Sequence, residues 1–216
     1  MKQDKLVRAV LADDHTMVRE ALSQVLAESG RIEVVGQAAD GTEALEITRR
    51  TAPDVLILDY SMPGTPALEV ISEIARDRPS VKVLVLTVHE SIHYAVRVLE
   101  HGAQGFLLKS AAAKELLEAI AAVDQGEIYI SPRVSQKVLH QLRRPRTHRV
   151  GLESLSQREF DMLRVLGSGM SLKECAYNLR ISTSTASTYR SRLMEKLKLR
   201  STAEILRFAL ENDIVG

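Results

Sequence analysis

Five polar residues stand at the ends of short apolar runs in the first half of the chain. They are Asp13, Asp14, Asp59, Thr87 and Lys109. Three carboxylates held close together repel one another, and Mg²⁺, which prefers oxygen ligands and keeps several waters, relieves that repulsion. In such a site Asp59 can act as a nucleophile towards phosphorus, while Lys109 and Thr87 offer a charge and a hydroxyl to phosphate oxygens. The set therefore predicts a magnesium-dependent phosphoryl site.

The elements that must bring these residues together are predicted to be five strands and the helices between them. The strands are expected at 6–12, 33–38, 54–59, 82–87 and 104–109, and the helices at 15–28, 41–50, 66–77, 91–101 and 112–124. Strands this apolar that alternate with helices predict an α/β fold with a parallel sheet buried on both faces. The strand order 2-1-3-4-5 places strands 1, 3, 4 and 5 side by side, and ligands bind at their carboxyl ends.

Each of these polar residues alone is better explained by a helix cap or a solvated strand end. Their joint placement favours the functional interpretation. Four histidines, His15, His89, His93 and His101, are scattered along this half of the chain. Only His89 and His93 have the spacing that would place two ligands on one face of a helix. We predict no histidine metal site.

Composition excludes several classes of protein. The 216 residues include no apolar run of the roughly eighteen residues that a membrane span needs, and Arg8 interrupts the N-terminal apolar segment. We expect a cytoplasmic protein with no membrane partner. The single cysteine, Cys175, excludes an internal disulfide and a thiolate zinc site, and its apolar neighbours predict a small core residue.

Charge is unevenly divided between the two ends of the chain. Residues 1–144 hold 17 Lys and Arg against 20 Asp and Glu, a balance of −3, whereas residues 145–216 hold 12 against 8, a balance of +4. The basic, proline-interrupted segment 143–149 predicts an exposed linker, and a helix is expected after Ser131-Pro132. We therefore predict a domain at 1–127, a helical and basic linker at 128–152 and a second domain at 153–216, built to meet a polyanion.

The last seventy residues predict four short helices. Three begin at capping boxes, and a fourth begins near Ser182. The boxes are Ser156 with Glu159, Ser171 with Glu174, and Ser201 with Glu204. A compact bundle follows, with an apolar core. Its expected core residues are Leu155, Phe160, Leu163, Leu166, Ala176, Leu179, Ala186, Leu193, Leu197, Ile205 and Phe208.

The helix expected at 183–197 has an apolar face and a face of small hydroxyl groups flanked by cations. The polar residues are Ser184, Ser187, Thr188, Arg190, Ser191, Arg192 and Lys196. Short hydroxyl side chains allow close approach to base edges, and the cations suit phosphates on either side. A solvated polar helix face is an equally good explanation of this pattern taken alone.

Residues 5–125 resemble the receiver domain of bacterial two-component response regulators, in the segments 10–15, 58–64, 86–89 and 105–110. The resemblance implies that Asp59 accepts a phosphoryl group from a histidine kinase or another phosphodonor. Thr87 and Lys109 would bind the phosphoryl oxygens. Mg²⁺ would be held by Asp13, Asp14 and Asp59 and by the backbone carbonyl of Ser61, with Asp13 bound directly or through water.

The same resemblance implies a switch formed by Thr87 and Phe106. Phe106 occupies a position where many receivers have tyrosine, so the switch would use ring rotation without a phenolic hydroxyl. The segment 65–68 lacks the Asp-Gly pair often found there, which is expected to alter mainly the start of a helix.

Residues 154–215 resemble the LuxR-type helix-turn-helix of the NarL/FixJ family, in the segments 155–159, 169–176 and 179–182. The resemblance implies a recognition helix in the major groove, phosphate contacts around Lys173 and Arg190, and dimerisation through the last helix, 201–212. Ala186 and Tyr189 depart from the common valine and histidine, which leaves the base preference open.

Together these features predict a flavodoxin-like receiver followed by a small all-α four-helix domain. The expected function is that of a DNA-binding transcriptional regulator, controlled by phosphorylation of Asp59, with no enzymatic activity beyond its own phosphorylation and dephosphorylation. Double-stranded DNA and a homodimer of the phosphorylated form are expected partners, and the resemblance admits RNA polymerase. One alternative is a phosphorylation-independent regulator whose receiver serves dimerisation. A phosphohydrolase of small phosphoesters is disfavoured, because Ser61 stands where its second carboxylate would be.

Overall fold

The computed structural model describes residues 6–142, 151–212 and 214–215. The chain divides into two compact units, Met1–Val138 and Leu139–Gly216. The basic segment 143–149, predicted to be a linker, lies outside the described residues.

The first unit is built on a parallel sheet. Among the described residues its strands are β1 (Val7–Ala12), β2 (Ile32–Ala38), β3 (Val55–Asp59), β4 (Lys82–Thr87), β5 (Gly105–Leu108) and β6 (Tyr129–Ile130). The strand order is β2-β1-β3-β4-β5-β6. The predicted α/β class and the order of the first five strands are confirmed.

Helices connect the strands of this sheet. They are α1 (Thr16–Glu28), α2 (Gly41–Thr51), α3 (Ala67–Asp77), α4 (Ile92–Glu100) and α5 (Ala113–Asp124). The four apolar residues of β3 before Asp59 are fully buried, as expected of a strand covered on both faces. Burial of apolar side chains of this kind stabilises the fold by about 25 cal/mol per Å² of apolar surface removed from water.

The prediction of five strands is one too few. The two-residue β6 pairs with β5, with Tyr129 opposite Gly105 and Ile130 opposite Phe106. It leads directly into α6 (Pro132–Leu142), the helix expected after Ser131-Pro132. The Ser131 hydroxyl donates to Glu115 Oε1 at 2.9 Å, and the Ser131 carbonyl accepts from the N–H groups of Val134 and Ser135 at the start of this helix. A two-residue strand has too few residues for an alternating pattern, so periodicity could not reveal it.

The second unit is helical. After a 3₁₀ helix at Gly151–Ser154 come α7 (Gln157–Gly167), α8 (Leu172–Asn178), α9 (Thr183–Leu197) and α10 (Thr202–Glu211). These are the four predicted helices. Phe160, Leu163, Ala186, Leu193 and Ile205 are fully or almost fully buried, as expected for the core, and so is Cys175.

Two of the three predicted capping boxes are complete, at the starts of α7 and α8. The third is half formed. Ser201 accepts from the Glu204 N–H, but the Glu204 carboxylate accepts from the Arg200 N–H at 2.7 Å instead of from Ser201. In the part of the chain that the structure describes, no helix combines the length and apolar character that crossing a membrane requires.

Candidate functional site

The register of the sheet brings the predicted phosphoryl-site residues to one edge. Ala12, just before Asp13, pairs with Leu58, just before Asp59. On the other side of β3, Asp59 pairs with Leu86, which precedes Thr87. Parallel strands end at the same edge of a sheet, so the side chains that follow these strands converge there.

Lys109 is the centre of the cluster. Its Nζ atom lies 2.8 Å from Asp59 Oδ2 and 2.7 Å from Asp13 Oδ2. Burial lowers the pKa of Lys109, but the hydrogen bonds that its ammonium group donates to Asp13 and Asp59, and the attraction of their negative charges, outweigh that effect and raise the pKa above its ordinary value. The ammonium group therefore stays charged at neutral pH and draws two carboxylates together.

Asp59 is only 3% exposed. Burial raises its pKa above the usual range, and the hydrogen bond from Lys109 offsets part of this rise. The N–H of Ser61 donates to Asp59 Oδ1 at 3.3 Å. One cation thus faces two buried carboxylates, which leaves net negative charge in the site.

The carboxylates fit a hard divalent cation. Potential ligand atoms of Asp13, Asp14, His15 and Asp59 all lie within 4.8 Å of one another. Asp13 Oδ2 is buried, and Lys109 Nζ lies 2.7 Å from it. Lys109 supplies one positive charge against two buried carboxylates, so the remaining negative charge carries a desolvation cost that a divalent cation would offset.

The sequence predicts no metal site that includes His15, yet its side chain lies beside the carboxylates of Asp13 and Asp14. Its Nδ1 atom lies 2.8 Å from Asp14 Oδ1 and 3.4 Å from Asp13 Oδ1. The backbone N–H of His15 donates to Asp13 Oδ1 at 2.9 Å. The signal available in the sequence was its position directly after two aspartates that end a strand.

Thr87 is fully buried at the end of β4. Its hydroxyl accepts a hydrogen bond from the His89 N–H at 3.1 Å, and its carbonyl accepts from the Lys109 N–H at 2.7 Å. The His89 ring lies 3.3 Å from the Ser61 hydroxyl and stacks on Tyr94, with ring centroids 4.5 Å apart. His89 was not predicted as a site residue, although its place two residues after Thr87 was the signal.

Phe106 is fully buried in β5, where it pairs with Val85 on one side and Ile130 on the other. The N–H of Ser131 donates to the Phe106 carbonyl at 2.9 Å. The predicted switch residue therefore sits in the strand next to β6 and the start of α6.

The residues predicted to contact DNA lie in α8 and α9. Lys173 is exposed on α8, and the exposed residues of α9 include Ser184, Thr188, Ser191 and Arg192. A shallow depression of about 300 Å³ is lined by Ser184, Thr185, Thr188, Tyr189 and Arg192. The small side chains of Ser184 and Thr188 on this surface would leave room for the backbone of α9 to approach a groove of DNA.

Three other predicted contacts are less free. Ser187 is half-buried, and Arg190 is half-buried with an Nε atom that has no hydrogen-bond partner among the described residues. Lys196 Nζ lies 2.7 Å from Glu159 Oε2 and 3.1 Å from the Ser154 carbonyl. The ammonium group of Lys196 is therefore engaged within the domain.

Comparison with known proteins matches both units. The family described as response regulator receiver domain matches residues 9–121, and the family of bacterial regulatory proteins of the luxR type matches residues 153–209. The response regulator GacA of Pseudomonas aeruginosa is 33% identical over 210 residues, which cover 97% of this chain and 98% of GacA. The oxygen regulatory protein NreC of Staphylococcus carnosus is 34% identical over 219 residues, with 97% and 99% covered.

Solved structures agree with these matches. A structure of the RcsB response regulator of Salmonella typhimurium has a TM-score of 0.76 and 26% identity, and covers 97% of this chain and 99% of its own. RcsB of Salmonella enterica serovar Typhimurium, bound to promoter rprA in the presence of phosphomimetic BeF3-, has a TM-score of 0.72 and 26% identity, with 94% and 98% covered. The chain belongs to the NarL/FixJ family of two-component response regulators, with a receiver domain and a LuxR-type DNA-binding domain.

Proposed function

We propose that this regulator binds DNA under the control of a phosphoryl group that Asp59 receives from a histidine kinase or a small phosphodonor. We assign residues 1–127 to the receiver, 128–152 to the linker and 153–216 to the DNA-binding domain. The observation that carries the proposal is the position of Lys109 Nζ, 2.8 Å from Asp59 and 2.7 Å from Asp13, at the edge where Thr87 also ends its strand.

The chemistry follows from the charges at this edge. A carboxylate oxygen of Asp59 attacks the phosphorus of the donor, and the bond from phosphorus to the donor's leaving atom breaks as the new O–P bond forms. Lys109 and Thr87 provide an ammonium group and a hydroxyl group for the phosphoryl oxygens. The raised pKa of Lys109 keeps its positive charge available for that role.

Mg²⁺ is the cofactor we propose for this edge, held by Asp13, Asp14, Asp59 and the backbone carbonyl of Ser61. The close approach of the Asp13, Asp14 and Asp59 carboxylates, within 4.8 Å of one another and with Lys109 as the nearby cation, supports this assignment. When bound, Mg²⁺ would neutralise negative charge between the carboxylates and the incoming phosphoryl oxygens. His15, which contacts both Asp13 and Asp14, would orient these carboxylates.

The DNA-binding half of the proposal assigns α9 to the major groove and α8 to the phosphate backbone beside it. Ser184, Thr188 and Ser191 are the exposed small residues that suit base edges, and Ser187 flanks them. Arg190, Arg192, Lys173 and Lys196 are the cations assigned to phosphates, with Lys196 the least available of them because of Glu159. Phosphorylation would act through Thr87 and Phe106 and favour a homodimer that spans two half-sites.

The remaining partners follow from a role in transcription. RNA polymerase is a partner that a promoter-bound regulator would meet, and a DNA-binding protein of a bacterial signalling family would work in the cytoplasm, where the DNA lies. Catalysis by this chain would be limited to its own phosphorylation and dephosphorylation.

The decisive experiment is phosphorylation of the full chain. The protein is incubated with Mg²⁺ and acetyl phosphate, and the intact mass and peptide map are recorded for the wild type, Asp59→Asn and the control Asp124→Asn. Asp124 is an exposed aspartate at the end of α5. We expect one phosphoryl group on the wild type and on the control, located at Asp59, and none on Asp59→Asn.

DNA binding is then measured with and without the phosphodonor. A gain in affinity that Asp59→Asn lacks supports control by phosphorylation. An equal affinity in both states, despite complete phosphorylation, would favour the phosphorylation-independent regulator.

A further inference from the structure

The first turn of α2 holds the loop that follows the proposed phosphoacceptor. The Gly41 N–H donates to the Pro63 carbonyl at 3.0 Å. The Thr65 N–H donates to Thr42 Oγ1 at 3.2 Å, and the hydroxyl groups of Thr42 and Thr65 lie 3.0 Å apart. Three polar contacts therefore join residues 41–42 to residues 63–65, although twenty or more positions separate them.

The two segments fit together with almost no space between them. A Cβ atom added at Gly41 would lie 1.9 Å from the Thr65 carbonyl oxygen, a distance that backbone atoms cannot accept. Gly64, with φ of +80°, would bring a Cβ within 3.0 Å of both Asp40 Oδ1 and Thr42 Oγ1. The loop is consequently placed by a close backbone approach as well as by hydrogen bonds.

The first turn of α2 is itself well anchored. Asp40 Oδ1 accepts from the N–H groups of Thr42 and Glu43, each at 2.8 Å. The Glu43 carboxylate in turn accepts from the Ala39 N–H at 2.7 Å. These reciprocal bonds satisfy donors that a helix start would otherwise leave unpaired, which makes the turn a firm support.

The supported loop is the one that carries Ser61. Ser61 donates its N–H to Asp59 Oδ1, and only Met62 separates it from Pro63, where α2 makes its first contact. Because Ser61 is so near in the chain, we expect a shift of the loop at Pro63 or Thr65 to move the Ser61 carbonyl, the oxygen assigned to Mg²⁺. Partners that orient a metal ligand affect affinity strongly even when they do not touch the metal.

We propose that Thr42 is a positioning residue for the cation and phosphoryl site. Through Thr65 its hydroxyl holds the loop so that the Ser61 carbonyl points to the cation that Asp13 and Asp59 bind. This inference rests on the proposed function, because it assigns Thr42 a role in that same site.

The test compares isosteric changes at the two ends of α2. Thr42→Val removes the hydroxyl group and keeps the shape, and Thr42→Ser keeps the hydroxyl group. The control is Thr51→Val, because the Thr51 hydroxyl donates to the Ile47 carbonyl in the last turn of the same helix, at the opposite end from Thr42. For each variant the Mg²⁺ dissociation constant is measured by calorimetry, and Asp59 phosphorylation is followed as a function of Mg²⁺ concentration.

We expect Thr42→Val to weaken Mg²⁺ binding about 10-fold, the lower end of the range for outer partners of metal ligands. The Mg²⁺ concentration that gives half the maximal phosphorylation rate should rise by the same factor, while the maximal rate is retained at saturating Mg²⁺. Thr42→Ser and Thr51→Val should bind Mg²⁺ like the wild type. A role confined to helix stability would lower the melting temperature of both valine variants and leave both Mg²⁺ constants unchanged.

The outcomes separate this inference from the proposed function. If the wild type binds Mg²⁺ and is phosphorylated on Asp59, and Thr42→Val does so at the same Mg²⁺ concentration as Thr51→Val, the positioning role is wrong and the proposed function stands. If the wild type neither binds Mg²⁺ nor accepts a phosphoryl group, the proposed function fails first and the role of Thr42 fails with it.

Discussion

Lys196 Nζ lies 2.7 Å from Glu159 Oε2, and Glu159 is only 3% exposed. The same carboxylate oxygen accepts from the Ser156 N–H at 2.7 Å, so it caps α7 and binds the last turn of α9 at once. Burial raises the pKa of Glu159, but the hydrogen bonds from Lys196 and Ser156 outweigh it and lower the pKa below its usual value. The pair joins two helices of the DNA-binding domain.

Lys196→Met should therefore destabilise the DNA-binding domain more than it affects contact with phosphates. We expect a loss of about 1.5–3 kcal/mol in the free energy of unfolding, the usual contribution of a hydrogen bond to a charged group. Because the folded-state pKa of Glu159 is lowered, the contribution is present at neutral pH and is lost as the pH falls through that folded-state value. Urea unfolding at pH 7 and in acid, for wild type and variant, measures both effects.

Lys173→Met is the matched change on an exposed residue of α8. It should leave the stability of the domain nearly unchanged. It should reduce the slope of the logarithm of DNA affinity against the logarithm of salt concentration by about 0.9, the value for one phosphate contact. A reduced salt slope for Lys196→Met, with normal stability, would show that Lys196 leaves Glu159 to bind DNA.

A second close relationship in the same domain joins α7 to α10. A Cβ atom added at Gly167 would lie 2.5 Å from the Cβ atom of Ala209, which is fully buried. Gly167→Ala should cost about 1–3 kcal/mol through overpacking, although alanine is the better helix former by about 1 kcal/mol. Chemical denaturation measures the cost.

The double variant Gly167→Ala with Ala209→Gly removes the clash and should recover part of the stability. A more stable Gly167→Ala single variant would contradict the close packing of α7 and α10. Since α10 is the helix through which dimerisation is expected, the same samples should be compared for dimer formation by sedimentation.

The convergence of Asp13, Asp59 and Lys109 at one edge of the sheet could be predicted from the sequence because it depends on local pattern. Short buried strands are visible as apolar runs, and the residues that follow them, such as Asp59 and Thr87, meet wherever parallel strands end together. The same reasoning located the starts of α7 and α8, whose capping boxes are contained within four residues.

The features that the sequence did not predict depend on contacts between distant segments. Lys196 and Glu159 are 37 positions apart, and Thr42 and Thr65 are 23 apart, so no spacing rule connects either pair. The half-formed box at Ser201 shows a different difficulty. The Glu204 carboxylate can reach the N–H of Arg200 as well as that of Ser201, and the sequence pattern is the same in both cases.

Removing the charge of Asp59 should stabilise the receiver when Mg²⁺ is absent. Burial raises the pKa of Asp59, so the folded state holds the proton more tightly than the unfolded state. The stability of the wild type should therefore fall as the pH rises through the range in which Asp59 ionises, and Asp59→Asn should lack this fall. At neutral pH we therefore expect Asp59→Asn to be more stable than the wild type.

In the presence of Mg²⁺ the wild type should instead be more stable than Asp59→Asn. At a concentration about 100 times its dissociation constant Mg²⁺ would stabilise the wild type by about 2.7 kcal/mol, and Asp59→Asn, with one carboxylate fewer, should gain much less. Thermal unfolding with and without Mg²⁺ tests this, with Asp124→Asn as the control. A lower stability of Asp59→Asn in the absence of Mg²⁺ would mean that the attraction of Lys109 exceeds the cost of burying the carboxylate.

His93 should make the receiver sensitive to mild acid. Burial, together with the nearby charge of Arg97, lowers the pKa of His93 from 6.5 to about 4. As the pH falls below 6.5 the unfolded chain takes up a proton that the folded chain resists, so stability is lost between pH 6.5 and about 4. His93→Gln should be less sensitive to acid than the wild type, whereas His140→Gln, at an exposed position of α6, should match the wild type. The measurement is the urea midpoint of unfolding for each protein above and below pH 6.5. An equal loss of stability in the wild type and His93→Gln would assign the acid sensitivity to other groups.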